Sequence, residues 1–199
     1  QLYNTADAMI VGRFVGKEAL SAVSGSAGML TQMIVGFFVG LSAGCGVIIS
    51  QYYGAKRPEM VGYAVHTSVA FSLLSGAFIM IIGIILAPRM LGAMSTPEDI
   101  MDLSILYLRI YFLGMIPNLL YNTGSSILRA VGDSRRPLYF LIVSCMTNIV
   151  LDLLFVVILR LGVRGAGIAT VCSQILSALL VLSCLCRSSD MYRVHLTRI

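Results

Sequence analysis

The sequence has no tryptophan, two histidines, and only 12% charged residues in a chain of 199. Soluble domains carry about 25% charged residues, so an ordinary water-facing surface is excluded. No H-E-x-x-H element or comparable set of nucleophile and base occurs, which argues against an enzyme. Cys45, Cys145, Cys172, Cys184 and Cys186 lie inside or at the ends of apolar runs. Their odd number and the lack of His or Cys partners at metal-site spacing exclude a disulfide frame and a metal site, leaving small packing side chains. No signal peptide with basic, apolar and cleavage-site regions opens the chain.

What is present is apolar. Hydrophobic residues make up 58% of the chain and mean hydropathy is +0.91. This content comes in runs long enough to cross a bilayer, so the chain reads as an all-α integral membrane protein. The expected spans are residues 1–14, 20–50, 61–87, 100–128, 137–159 and 166–186, forming one transmembrane unit over 1–186, with 187–199 as the start of a connection. Residues 1–14 are too short to span alone and read as the latter half of a helix. The net charge of +5 sits in the gaps between the runs, where it reports orientation in the bilayer and not nucleic-acid binding.

The stretch 138–159 is nearly continuous apolar sequence interrupted by Asn148 and Asp152. Inserting a carboxylate at mid-membrane costs about 2.5–3.5 kcal/mol even on insertion scales, so Asp152 is expected to face a bundle interior or a wet cavity. The i, i+4 spacing puts Asn148 on the same face. Asp7, in Tyr3-Asn4-Thr5-Ala6-Asp7, is either a second deep acid or part of a wet helix end, and position alone does not choose.

Other residues give local expectations. Gly36, Gly40 and Gly44 recur every fourth position, a bare ridge for a neighbouring helix or a substrate path. Gly54 ends one helix and Pro58 opens the next. Ser95-Thr96-Pro97-Glu98 reads as a cap with a proline-initiated helix. Pro117 marks a kink or break in a span that also holds Arg109, Asn118 and Asn122, and Pro137 starts the next span. His66 reads as a satisfied or interfacial histidine, remote from His195. Arg109 snorkels to a surface or else lines the cavity. Arg129, Arg135 and Arg136 fix orientation and touch anionic lipid.

Alternating the spans puts eight Lys and Arg, among them Lys56, Arg135, Arg136 and Arg198, on one side of the membrane and five, including Arg13, Arg89 and Arg160, on the other. The positive-inside rule then places the missing start and the carboxy-terminal tail in the cytoplasm.

Four motifs, in order, resemble those of the multidrug and toxic compound extrusion (MATE) transporters: Tyr3-Asn4-Thr5-Ala6-Asp7 with Val11-Gly12-Arg13; Ser50-Gln51-Tyr52-Tyr53-Gly54-Ala55-Lys56-Arg57; Leu128-Arg129-Ala130-Val131-Gly132-Asp133-Ser134-Arg135-Arg136-Pro137; and Gly162-Val163-Arg164-Gly165-Ala166-Gly167-Ile168-Ala169-Thr170. The DinF-like prokaryotic branch looks nearest. The resemblance implies the amino-terminal six-helix lobe, its first helix truncated, of a twelve-helix, two-lobe transporter in a prokaryotic cytoplasmic (inner) membrane. It implies an antiporter that exports amphipathic organic or cationic toxic compounds against inward H+ or Na+, with no other cofactor. Its partners would be a small amphipathic substrate, the lipid bilayer and the missing carboxy-terminal lobe. The carried-over site is Asp7, Asn148, Asp152 and Thr170, which would hold H+ or Na+, with Pro117, Asn118, Asn122 and Arg109 as candidates for the substrate path or a kink. Several relatives have a proline after the second acid. This chain has Leu153, so a bend there does not follow from the resemblance. A flippase of lipid-linked or other large amphipathic substrates is the alternative, but its cavity would want several cations to meet a pyrophosphate.

Overall fold

Each apolar run folds as helix because a backbone in hydrocarbon must satisfy its own hydrogen bonds. In the computed structural model, which describes residues 2–188 and 190–194 and side chains from Asp7 onward, eight α-helices and one π-helical segment occur and no strand is present among the described residues. His195, Arg198 and the side chains of the Tyr3 to Ala6 motif lie outside the described residues. The helices are α1 Leu2–Phe14, α2 Lys17–Ser24, α3 Ser26–Gly54, α4 Pro58–Ala93, α5 Glu98–Leu113, α6 Met115–Ala130, α7 Arg135–Asp152 and α8 Val163–Arg187, with the π segment Leu153–Ile158 following α7. Four units are long and apolar enough to cross a membrane: α2 with α3, α4, α7 with its π segment, and α8. The bent pair α5 and α6 makes a fifth.

Three of the expected runs are interrupted. The 20–50 run breaks at Gly25, where a Cβ would press on the Ser21 carbonyl. The 100–128 run bends by 49° between α5 and α6. Pro117 was expected to mark this break, and the break falls three residues earlier, at Gly114. The reason is that the proline lacks the N–H that would have bonded the Leu113 carbonyl, so the helix stops there and restarts with Pro117 in its first turn. The third interruption is the π segment, in which the Leu159 amide bonds to Leu154, five residues back, at 2.9 Å.

Helix ends also differ in detail. After Gly54 the left-handed residue is Lys56, with φ of +52°. Thr96 does not cap α5: its hydroxyl turns back to the Leu91 carbonyl at 2.9 Å, closing the end of α4. The start of α7 is Arg135, not Pro137, because the Asp133 carboxylate accepts the amide hydrogens of Arg135 and Arg136 at 3.2 and 3.1 Å.

The core has three layers along the helix axes. One apolar cluster joins Val11, Leu91, Leu108, Phe112 and Val163 at one end. A second joins Ile49, Val61, Ile127, Val181 and Leu185 at the other. Between them, by position along their helices, lie buried polar residues from every long helix: Ser42, Ser72, Asn118, Thr123, Ser144, Asn148, Asp152, Thr170, Ser173 and Gln174. Large side chains such as Met33, Phe37, Leu74, Phe78 and Ile85 are exposed on the outside, as lipid contact requires and water would not favour.

Candidate functional site

The two acids meet. Asp7 on α1 and Asp152 at the end of α7 are both buried, at 1% and 0% exposure, and Asn148 and Thr170 are equally enclosed. α1 packs on α7, the π segment and α8, and that packing sets Asp7 among Asp152, Thr170 and Asn148. Asp7 is enclosed by the helices around it, as a buried acid would be and a wet helix end would not.

Thr170, one turn inside the start of α8, donates to Asp7 Oδ2 at 3.1 Å and to its own helix's Ala166 carbonyl at 2.9 Å. The other polar atoms, Asp7 Oδ1, both Asp152 oxygens, and Asn148 Oδ1 and Nδ2, make no hydrogen bond of good geometry among the described residues. Unpaired carboxylates cannot stay charged and buried without a large desolvation cost. Four carboxylate oxygens and an amide oxygen form a hard-donor set that suits a proton or an alkali cation and supplies no soft ligand. Among the described residues no group of three or more His, Cys, Asp or Glu could hold a metal ion.

Asp152 is the last α-helical residue before the π segment. The wide turn therefore starts immediately beyond the acid although the proline of several relatives is replaced by Leu153. Gly165 of α8 comes so close to the segment that a Cβ would lie 3.0 Å from the Phe155 carbonyl carbon.

The remaining candidates lie elsewhere. Asn118 and Asn122 bond each other, the Asn122 amide donating to the Asn118 carbonyl at 2.9 Å and to Asn118 Oδ1 at 2.8 Å. Arg109 donates from Nε to the Ile84 carbonyl at 3.3 Å. That carbonyl is four residues before Pro88, inside α4, so it is the one the proline cannot serve. Arg109 thus braces a proline-interrupted helix. Gly36, Gly40 and Gly44 have no neighbour where a Cβ would stand; the close approach of α3 is at Gly46, against Ser126 of α6.

Sequence reasoning missed Gln174. It is 6% exposed, neither amide atom has a partner among the described residues, and it presses on Gly114 at the break between α5 and α6. Its place one turn beyond Thr170, on the same face of α8, was the available signal. It also missed a hydroxyl cluster in which Thr123 of α6 meets Ser72 of α4 at 2.6 Å and Ser42 of α3 at 3.2 Å. Beside it is a cavity of about 10 Å³, lined in part by Phe38, Cys45 and Phe71, room for about one water.

The MatE family model matches residues 1–154. The chain is 38% identical over 180 residues to the probable multidrug resistance protein YoeA of Bacillus subtilis, covering 87% of this chain and 38% of that protein. It is 33% identical over 170 residues to the probable multidrug resistance protein YpnP of the same organism, covering 84% and 38%. A crystal structure of MATE in the bent conformation superposes with a TM-score of 0.90 at 29% identity, over 100% of this chain and 44% of that one. An outward-facing MATE family transporter gives 0.88 at 29% identity, over 98% and 43%. The chain thus spans about two-fifths of the length of these relatives and has the fold of one lobe. With a family match over most of its length and a buried acid pair set in that lobe, this membrane-embedded, multi-pass chain belongs to the MatE family.

Proposed function

We propose that the protein forms the ion-coupling lobe of a secondary active antiporter that exports amphipathic organic or cationic compounds in exchange for inward H+ or Na+. The observation that carries this reading is the enclosure of Asp7 and Asp152 together, with Thr170 the one donor to either among the described residues. Such a pair is held apart by repulsion when charged and drawn together when a cation or proton arrives. Because α1 brings one acid and α7 the other, ion uptake changes how α1 sits on the lobe. A substrate whose affinity differs between these two arrangements is thereby coupled to the ion, and the coupling is reciprocal.

Support also comes from relatives: inward-facing and outward-facing MATE family transporters match this lobe with TM-scores of 0.90 and 0.88, as expected if the lobe moves largely as a body. The substrate path in this reading runs between this lobe and the rest of the transporter, with the open ridge of Gly36, Gly40 and Gly44 on one candidate wall. Arg109, the one candidate cation for a flippase's anionic substrate, donates instead to the Ile84 carbonyl of α4, which with the two buried acids favours a cation exporter. The membrane is the prokaryotic cytoplasmic one, with the side rich in Lys and Arg inward.

The test is ion-driven efflux of a fluorescent organic cation from vesicles holding the full-length protein, with imposed H+ or Na+ gradients. Asp152→Asn is expected to abolish the response to the gradient. Unchanged ion dependence in this variant sinks the reading.

A further inference from the structure

At the opposite end of α7 from the acids, where Arg136 lies one residue inside the helix and α8 comes to its last turn, the chain builds a polar pocket that the transport reading does not use. Its volume is about 300 Å³ and its lining is Arg136, Cys184, Arg187, Ser188, Asp190 and Tyr192. The third wall is formed by residues 188 and 190–194, folded back onto α8: the Val194 amide bonds the Leu185 carbonyl at 3.3 Å, and Tyr192 is buried in the adjoining apolar cluster.

The two arginines are presented differently. Arg136 is held by Asp133, whose Oδ2 lies 3.2 Å from its Nε. Among the described residues its Nη1 meets the Cys184 thiol, at 3.5 Å, a weak acceptor that a phosphate oxygen would outcompete. Arg187, the last residue of α8, forms no ion pair among the described residues. Asp190 is engaged in its own turn, its amide donating to Ser188 Oγ at 3.2 Å and its carboxylate accepting from that hydroxyl at 3.5 Å. Burial pushes the Tyr192 phenol above its ordinary pKa, so it remains a neutral hydroxyl. The pocket is cationic on balance, with hydroxyl donors beside the two guanidinium groups.

Its location identifies the ligand. Leu138, Leu141 and Ile142 on α7 and Leu179 on α8 are exposed, an apolar surface carried by the same two helices that bring Arg136 and Arg187 to the pocket. We propose that the pocket binds the phosphate headgroup of an anionic phospholipid whose acyl chains lie along α7 and α8. Phosphate oxygens pair with Arg136 and Arg187, while the glycerol side meets Ser188 and Tyr192. Basic pockets between membrane helices at the cytoplasmic face recognise such headgroups through this chemistry. The inference stands apart from ion coupling, since neither arginine approaches the acid cluster.

The experiment uses the full-length protein in a neutral detergent and reads thermal unfolding during titration with short-chain phosphatidylglycerol, short-chain phosphatidylcholine or inorganic phosphate. Phosphatidylglycerol is expected to stabilise the wild type at lower concentration than phosphatidylcholine. Arg187→Gln and Arg136→Gln are each expected to raise the midpoint about fivefold, and Arg89→Gln, on the other side of the membrane, to leave it in place. Should Arg136→Gln not fold because Asp133 loses its partner, Arg187→Gln decides alone. Equal midpoints for the two lipids, a wild-type midpoint in Arg187→Gln, or protection by inorganic phosphate as effective as by phosphatidylglycerol each overturn the proposal, the last by showing a soluble-anion site.

Discussion

The hydroxyl of Thr170 stands between two acceptors, Asp7 Oδ2 at 3.1 Å and the Ala166 carbonyl at 2.9 Å, with one hydrogen to give. When Asp7 is charged the hydrogen belongs to the carboxylate, the stronger acceptor. When Asp7 is neutral it can donate to Thr170 Oγ1 instead, and the Thr170 hydrogen turns to Ala166. The contact between α1 and α8 thus survives both states with its polarity reversed.

Thr170→Ser keeps this reversible donor and is expected to retain gradient-driven efflux within a few-fold of wild type. Thr170→Val keeps the shape and loses the hydroxyl. A hydrogen bond to a charged group is worth about 1.5–3 kcal/mol, so the apparent ion affinity should change by roughly ten- to hundredfold. Ion titration of transport in vesicles checks this, and equal behaviour of the two variants would refute it.

Gly114→Ala is expected to destabilise the lobe by about 1–3 kcal/mol, the usual cost of overpacking, because the new methyl meets the Gln174 amide. Gln174→Ala in the same chain should restore much of the loss by making room. Melting of the four proteins of the cycle in one detergent measures it; additive losses would show that the two positions are not in contact.

Arg109→Ala leaves the Ile84 carbonyl without its side-chain donor. Pro88→Ala returns a backbone N–H to that carbonyl, so Arg109→Ala should cost about 1 kcal/mol less in the Pro88→Ala background. Substrate affinity is expected to be the same in all four proteins. A selective loss of affinity in Arg109→Ala would return this residue to the substrate path.

Asn148→Leu replaces an amide with no hydrogen bond of good geometry among the described residues by an apolar group of similar size. The folded lobe should lose less than about 1.5 kcal/mol, as for volume-conserving exchanges, while ion-coupled transport falls at least tenfold. A variant that is both stable and fully coupled would remove Asn148 from the site.

Much of this architecture could be read from residues alone. The depth of Asp152 follows from the apolar run around it, and the i, i+4 spacing alone sets Asn148 beside it. Asp7 could not be placed, because residues 1–14 are too short to span alone and only the packing of α1 on α7 and α8 buries it. The breaks were legible as to cause but not position: Pro117 removes a hydrogen bond whose acceptor lies four residues upstream, and that is where the helix stops. The buried layer of Ser, Thr, Asn and Gln was hidden, since single small polar residues scarcely alter the hydropathy of a long span and line up only when the helices assemble. The π segment has no compositional mark at all, as Leu-Leu-Phe-Val-Val-Ile suits an α-helix equally well.

That widened turn makes chain length matter where side-chain identity does not. It accommodates about one residue more than an α-helix between the same ends, and each residue corresponds to about 100° of rotation. Removing one residue from 153–158 would let the backbone relax into regular α geometry, yet it would swing either the acid or the link into α8 through that angle. Apolar exchanges here should therefore be mild, while a single-codon deletion should uncouple the two acids.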